Sequence, residues 1–265
     1  MEYFKKIKEY KSIFLFISLY ISLLFGFFLG EDSTGGAFLD YLNQKKILNH
    51  FLDNFFESFV NYDQLEPPSR HSPVLHVYLY IFEKFGLNDV LIRLINLQIA
   101  PLCSLIFYKT LKLKFPKINN EYLFIFSLIF FLSPTIRSLS IWPDSRIYGF
   151  TFFLLSIYFF LNFQNEKKFK DVLYNIVSLS ISAYFSPNFA LFALYFFIFY
   201  FKHYKISKIF FYIIILNILL ASPAFYYLFI LDVNFMTIPA VSGQSFIQRI
   251  NPANKIMLIS SIFFF

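Results

Sequence analysis

Acidic side chains are the residues best suited to chemistry in this sequence, and they are concentrated in one segment. Nine of the sixteen Asp and Glu residues lie between positions 31 and 89. Carboxylates can accept a proton or hold a cation. Glu31 and Asp32 stand apart because they directly follow a long apolar stretch and precede a flexible Ser-Thr-Gly-Gly turn. We expect this pair to be fixed where the apolar stretch ends. Four later acids are interpreted as ordinary solvated loop residues: Asp53, Glu57, Asp63 and Glu66.

Two groups of basic residues are suited to binding an anionic group. Arg70 and His71 lie in a Pro-Pro-Ser-Arg-His-Ser-Pro segment, whose prolines stiffen the chain. Arg137 and Arg146 flank a Trp-Pro-Asp turn that ends at Asp144. Arginine donates paired hydrogen bonds to phosphate from a planar fork, and ionisable residues near membrane depth are candidates for function. The alternatives are an exposed loop for the first group and anchoring in lipid headgroups for the second.

The composition indicates that the elements positioning these residues are membrane helices. Hydrophobic residues make up 58% of the chain and charged residues 15%, with a mean hydropathy of +0.59. Soluble domains carry about 25% charged residues. The net charge of +7 does not indicate nucleic-acid binding, because the basic residues form small clusters between apolar runs, as in cytoplasmic loops. The single cysteine, Cys103, excludes an intramolecular disulfide.

The sequence predicts an all-α, polytopic transmembrane protein with about seven or eight spans, since a span needs roughly 20 residues of helix. An eighth span would begin at Ile256, and the short length of that last run suggests a single transmembrane domain over 1–265 that is truncated at its C-terminus. The fifth and sixth predicted spans could instead form one broken helix. The predicted spans are Ile13–Gly30, Val90–Leu111, Tyr122–Leu139, Tyr148–Phe163, Val172–Phe185, Phe189–Phe201 and Ile209–Leu231.

Lysine clusters predict the orientation of these spans. Four lysines before residue 13 place the N-terminus in the cytoplasm, and an uncleaved first helix is favoured over a signal peptide. The later clusters all fall on the cytoplasmic side only if Pro73–Phe85 does not cross the membrane. We therefore interpret 31–89 as the first extracytoplasmic loop, with Pro73–Phe85 and an amphipathic stretch from Phe38 to Leu48 as interfacial helices. By the same orientation, the Trp-Pro-Asp turn that ends at Asp144 also faces the extracytoplasmic side.

Other sites of known pattern are missing from the sequence. The four histidines show no metal-ligand spacing, and neither a nucleotide-binding glycine loop nor a Gly-x-Ser-x-Gly motif occurs. No cofactor and no metal site are predicted, although carboxylates alone can hold a divalent cation.

The order of these features resembles the GT-C superfamily of membrane glycosyltransferases, especially the branch with protein O-mannosyltransferases and the aminoarabinose transferase of lipid A. The similarity covers most of residues 1–200. The acidic pair is Asp-Glu in the family and Glu-Asp here, which leaves open which carboxylate corresponds to the family's catalytic one. The resemblance rests on four short motifs: Glu31-Asp32, Arg70-His71-Ser72-Pro73, Phe85-Gly86 with Arg93-Leu94, and Ser133-Pro134 with Asp144.

The resemblance implies an inverting transfer of a sugar from a polyprenyl-phosphate donor to a lipid, glycan or protein acceptor. The reaction would take place on the extracytoplasmic face of a bacterial-type inner (plasma) membrane. The acceptor hydroxyl must lose a proton as it attacks, and a positioned carboxylate can take it. Asp32 is the expected base, Glu31 is its rival, and Asp144 would orient the acceptor. The leaving phosphate would be held by basic residues from the two groups above: Arg70, His71, Arg137 and Arg146.

Three other functions fit a polytopic membrane protein. A polysaccharide polymerase or ligase of the envelope would carry its long functional loop later in the chain. A transporter or flippase of lipid-linked sugars would place polar residues and paired broken helices within the spans. A structural membrane protein would have no site at all.

Overall fold

The computed structural model describes residues 2–67 and 72–226, with side chains described from residue 11 onward. Within these ranges the chain is all-helical, as the sequence predicts, and no strand occurs. Two short 3-10 turns, Tyr62–Gln64 and Pro187–Leu191, join neighbouring helices. The α-helices are α1 (Glu2–Phe28), α2 (Ala37–Asp53), α3 (Phe55–Val60), α4 (Val74–Lys84), α5 (Asp89–Leu97), α6 (Ile99–Lys114), α7 (Asn120–Ser127), α8 (Ile129–Leu132), α9 (Pro134–Ile141), α10 (Ser145–Glu166), α11 (Phe169–Phe185), α12 (Phe192–Tyr204) and α13 (Lys208–Phe225).

In the part of the chain that the structure describes, four helical segments are long and apolar enough to cross a membrane, which indicates a membrane protein. They are Lys11–Phe28 in α1, Asp89–Lys114 in α5 and α6, α10 and α13. A fifth segment qualifies if Asn120–Leu132 and α9 form one span with a 65° bend. Apolar side chains on the outside of these helices remain exposed, including Phe14 at 71% and Leu219 at 63%. Such surfaces are suited to lipid rather than to water.

The number of predicted spans, seven to eight, is larger than the four to five segments that meet this test. α11 has 17 residues and α12 has 13, both shorter than the roughly 20 residues that a straight span needs. The third predicted span, Tyr122–Leu139, is interrupted at Ser133. The run from Ile256 lies outside the described residues.

α10 lies at the centre of the bundle, between α6 and α11, and small residues allow α11 to approach it closely. A Cβ atom added to Gly149 would lie 2.7 Å from the Cβ of Ser186 and 3.3 Å from the backbone oxygen of Ser182. The Ser182 hydroxyl donates to the Gly149 carbonyl at 2.7 Å. Close approach through small residues is the usual basis of helix packing in membranes.

α2, α3 and α4 form a layer across one end of this bundle. Ile47, Leu48 and Phe51 of α2 are buried against this layer and the bundle, whereas Leu39 is 61% exposed. α4 is an 11-residue helix, too short to cross a membrane, over the segment predicted as interfacial. The layer brings α2 over the ends of α1, α5 and α10, where the charged residues gather.

Side-chain caps fix where several helices begin. The Asn88 side chain accepts a hydrogen bond from the Leu91 amide at the start of α5. Ser133 caps α9 in the same way through the Ile136 amide, with a proline at the first helical position. Caps of this kind satisfy amide groups that have no partner inside the helix. They therefore fix the ends of the helices that carry the candidate site.

Candidate functional site

A group of charged residues lies where α1 ends and where α2, α5 and α10 begin. We call this group the charged cluster. Contacts between side chains far apart in the sequence join its members, and two aromatic residues, Tyr41 and Trp142, pack among them. The sequence predicted that the acidic pair and the Trp-Pro-Asp turn share one face, and the structure brings them together. The charged cluster consists of Glu31, Asp32, Asp40, Lys45, Asp89, Arg93, Arg137, Asp144 and Arg146.

Glu31 is bound in a two-pronged ion pair by Arg137. The Arg137 Nε donates to Oε1 at 2.8 Å and its Nη2 donates to Oε2 at 2.5 Å. The Ser33 hydroxyl donates to Oε1 at 2.6 Å. Both side chains of the pair are largely buried, with exposures of 14% and 22%. The Arg137 hydrogen bond holds the pKa of the Glu31 carboxyl below its usual 4.5.

Arg137 uses its remaining donors on the backbone and a hydroxyl of neighbouring helices. Its Nη1 donates to the Ser22 hydroxyl and to the Phe131 carbonyl, and its Nη2 also donates to the Ser22 carbonyl. A guanidinium has five N–H donors, and all five have acceptors here. Arg137 therefore fastens α1 to the α8–α9 bend, and the geometry leaves it no donor for the predicted phosphate.

Asp144 is buried and bound by Arg146. The Arg146 backbone amide and Nε donate to its Oδ1 at 2.7 and 2.8 Å, and Nη2 donates to Oδ2 at 2.9 Å. The same Nη2 donates to Asp40 of α2 at 2.6 Å. The Arg146 side chain is 48% exposed, whereas that of Asp144 is 3% exposed. Asp144 therefore caps α10 and orients Arg146, and only Arg146 of the two presents a surface to an incoming molecule.

Asp89 and its partners belong to the same group but were not predicted as site residues. Tyr41 donates its phenol proton to Asp89 Oδ1 at 2.5 Å, and the Lys45 ammonium lies 2.8 Å from the same oxygen. Burial, together with the hydrogen bond to Asp89, raises the pKa of Tyr41 well above 10, so it acts as a neutral donor. The sequence does indicate that Asp89 lies at the start of α5, directly after the Asn88 cap. It does not indicate that Tyr41 and Lys45 of α2 are the partners of Asp89.

Asp32 is held by backbone amides at the N-terminus of α2. The Ala37 amide donates to Oδ1 and the Phe38 amide to Oδ2, both at 3.2 Å, and the Thr34 hydroxyl donates to Oδ1 at 3.1 Å. Burial alone would raise the pKa of Asp32, but these hydrogen bonds outweigh it and lower the pKa below its usual 3.8. The positive end of a helix dipole also favours a carboxylate at this position.

Among the side chains that the structure describes, Asp32 differs from the other four carboxylates of the charged cluster because it has no cationic partner. Each of the others forms an ion pair with an arginine or lysine, at distances of 2.5 to 2.8 Å. Across residues 11–67 and 72–226, whose side chains the structure describes, no such pair involves Asp32. It is also partly exposed. An ionised, partly exposed carboxylate that is held by amides is arranged to accept a proton or a hydrogen bond from a ligand.

Two predicted site residues, Arg70 and His71, lie outside the described residues. Elsewhere in the first loop, a polar cleft of about 290 Å³ is lined by side chains of α2 and α3, among them His50, Asp53 and Glu57. Across the described ranges, no three His, Cys, Asp or Glu side chains come together in a way that could hold a metal ion.

Comparisons of this chain with protein-family models, with curated proteins and with solved structures find no match. The chemistry of the charged cluster is therefore the basis for assigning a function.

Proposed function

We propose that this chain is a membrane glycosyltransferase that moves a sugar from a polyprenyl-phosphate donor to an acceptor hydroxyl, with Asp32 as the general base. The observation that carries the proposal is the state of Asp32. It is partly exposed, is bound by amides and forms no ion pair with any described side chain, whereas the other four carboxylates of the charged cluster are all paired with cations. Glu31, the rival base, has both oxygens bound by the cationic Arg137, whereas the donors that bind Asp32 are neutral amides and a hydroxyl.

The reaction uses Asp32 at one step. The acceptor oxygen attacks the anomeric carbon and forms the new glycosidic bond while the bond from that carbon to the phosphate oxygen breaks. The electron pair leaves with the polyprenyl phosphate, and the acceptor proton passes to an Asp32 oxygen. Attack opposite the leaving group inverts the configuration at the anomeric carbon. General base catalysis of this kind contributes roughly 10²- to 10⁴-fold to rate.

The membrane setting supports a lipid-linked donor. The charged cluster lies at the end of helices whose exposed surfaces are apolar. A polyprenyl tail can therefore lie along those surfaces while its phosphate reaches the cluster. Arg146 is the candidate phosphate ligand of the described residues, because its guanidinium is half exposed and no hydrogen bond occupies its Nη1. Asp144 orients that guanidinium. Arg70 and His71 remain further candidates for holding the phosphate.

Topology completes the proposal. In the proposed topology the N-terminus is cytoplasmic and the charged cluster faces the extracytoplasmic side of a bacterial-type inner membrane, with α2 and α4 at the interface. The count of seven to eight spans requires the short helices α11 and α12 to cross as well. The acceptor is a lipid, a glycan or a protein. A transporter is less well supported, because transport sites of that class lie near the membrane midplane between broken helices, whereas this cluster lies at helix ends.

A transfer assay with matched variants tests the proposal. The full-length protein is reconstituted in liposomes with radiolabelled polyprenyl-phosphate hexose or aminopentose and a panel of lipid, glycan and peptide acceptors. We expect label transfer by the wild type and at least a hundredfold loss with Asp32→Asn. Asp53→Asn removes the same charge from an exposed position on α2 and should retain activity within twofold. Equal activity of the Asp32 and Asp53 variants would contradict the proposal, as would the absence of transfer from every donor.

A further inference from the structure

Trp142 contacts the chain on both sides of Asp32. Its indole N–H donates to the Glu31 carbonyl at 3.0 Å, directly before Asp32. Its ring packs against the Phe38 ring with centroids 4.7 Å apart. The Phe38 amide is one of the two that bind the Asp32 carboxylate. One buried side chain, 8% exposed, therefore holds both the backbone that carries Asp32 and the residue whose amide orients it.

Arg93 in turn fixes Trp142. The Arg93 guanidinium carbon lies 3.6 Å from the Trp142 ring centroid and 4.9 Å from that of Phe27. The Arg93 Nε donates to the carbonyl of Ile141, the residue before Trp142. A cation stacked on an indole at this distance, with little access to water, is a favourable contact. α5 therefore holds the indole in the orientation that its hydrogen bond to Glu31 requires.

We propose that Trp142 is a positioning residue: it sets the place and direction of the Asp32 carboxylate through the Glu31 carbonyl and Phe38. Only its consequence for sugar transfer rests on the proposed function. The structural part, that Trp142 orders the 31–42 turn and the start of α2, can be tested without any substrate.

Hydrogen exchange of the full chain in lipid nanodiscs tests the structural part. Trp142→Phe keeps an aromatic ring but removes the N–H donor and part of the ring, so amides in 31–42 should exchange at least fivefold faster, the roughly fivefold change expected for the loss of one hydrogen bond being the lower limit. Trp142→Ala also removes the ring contacts and should raise exchange about a hundredfold. Phe160→Leu is the matched control, because Phe160 is equally buried but lies in the separate core formed by α10 to α13.

The outcomes of that experiment are distinct. Faster exchange confined to 31–42 in the Trp142 variants, with Phe160→Leu unchanged there, supports the proposal. Unchanged exchange of 31–42 in Trp142→Phe and Trp142→Ala overturns it. If Trp142→Ala does not fold, the Trp142→Phe result decides, because that variant retains an aromatic ring.

Fluorescence provides a second substrate-free measurement, since Trp142 is the only tryptophan in the chain. Phe38→Ala removes the ring that covers the indole and should shift its emission to longer wavelength. Phe85→Ala, which changes a ring that is 78% exposed, should leave the emission unchanged. Identical spectra for the Phe38 variant and the wild type would show that the Phe38 ring does not cover the indole and would overturn positioning through Phe38.

Transfer kinetics test the consequence for Asp32. Trp142→Phe should lower kcat about fivefold with the donor KM unchanged, because the carboxylate is displaced while the donor site is intact. Adding Trp142→Phe to Asp32→Asn should cause no further loss. A further fivefold loss in the double variant would contradict positioning through Asp32. Full activity of Asp32→Asn alone would instead contradict the proposed function and leave the exchange result standing.

Discussion

The ion pair between Glu31 and Arg137 should be a main determinant of stability at this end of the bundle. It joins residues 106 positions apart and links the end of α1 to α9. Charge-assisted hydrogen bonds contribute about 1.5–3 kcal/mol each, and a buried pair costs more when one partner is lost than when both are replaced. Glu31→Gln keeps one acceptor, so we expect it to lower the free energy of unfolding by about 2–3 kcal/mol.

Arg137→Met should lower the free energy of unfolding further, by about 3–4 kcal/mol, because the carbonyls of Ser22 and Phe131 also lose a hydrogen-bond donor. In the double variant, Glu31→Gln with Arg137→Met, neither charge is left unpaired. Its free energy of unfolding should therefore fall by about 2 kcal/mol less than the sum of the two single decreases. At about 2–4 °C per kcal/mol for a chain of this size, Glu31→Gln should lower Tm by about 4–12 °C.

Thermal and denaturant unfolding of the full-length protein in detergent, at one scan rate, measures these values. Glu166→Gln is the control, because Glu166 also forms a direct ion pair, with Lys168, but both side chains are more than half exposed. It should leave Tm unchanged, since exposed pairs contribute little. A coupling energy below about 0.5 kcal/mol between Glu31 and Arg137 would show that this ion pair does not hold α1 and α9 together.

Three further predictions concern proton transfer, packing and topology. The pKa of Asp32 lies below its usual 3.8, so its carboxylate protonates only when the pH falls below that value. The rate of sugar transfer should therefore be constant from pH 8 to pH 5. A loss of rate near pH 6 that is absent in Asp32→Asn would contradict this prediction. Gly149→Ala would place a Cβ 2.7 Å from the Cβ of Ser186 and should lower the free energy of unfolding by about 1–3 kcal/mol. Gly36→Ala is the control and should leave this free energy unchanged, because a Cβ there would have no neighbour within 4 Å among the described residues. Equal unfolding midpoints for the two variants would refute the packing argument. A reporter fused after Lys114 should be active only on the cytoplasmic side, and activity on the outer side would invert the proposed orientation.

The sequence indicated the helical class and the long apolar helices correctly because apolar length is a local property. The Ser-Pro signal at Ser133 and Pro134 was also local, and it marks the 65° bend that interrupts the third predicted span. α11 and α12 were predicted as short helices over Val172–Phe185 and Phe189–Phe201, and the structure has them at Phe169–Phe185 and Phe192–Tyr204. Whether these short helices cross the membrane could not be predicted, because hydropathy alone does not distinguish an apolar helix packed against protein from one that faces lipid.

The candidate site was predictable in part. The alternation of apolar runs and lysine clusters placed Glu31, Asp32 and Asp144 on one side, and the structure brings their neighbourhoods together. The ionic partners were not predictable, because Arg137 pairs with Glu31 through tertiary contact and not through sequence spacing. The sequence did show that Arg93 lies inside a predicted span and that Trp142 belongs to the Trp-Pro-Asp turn. Their stacking, at 3.6 Å, depends on how α5 packs against the turn after α9.

The most direct test of the central claim is the single-turnover rate of sugar transfer by Asp32→Asn, measured with donor already bound. Donor affinity is measured in parallel and should stay within about threefold of the wild type, because Asp32 acts on the acceptor. We predict a rate 10²- to 10⁴-fold below the wild type, the range expected for loss of a general base. A single-turnover rate within twofold of the wild type would contradict the assignment of Asp32 as the base.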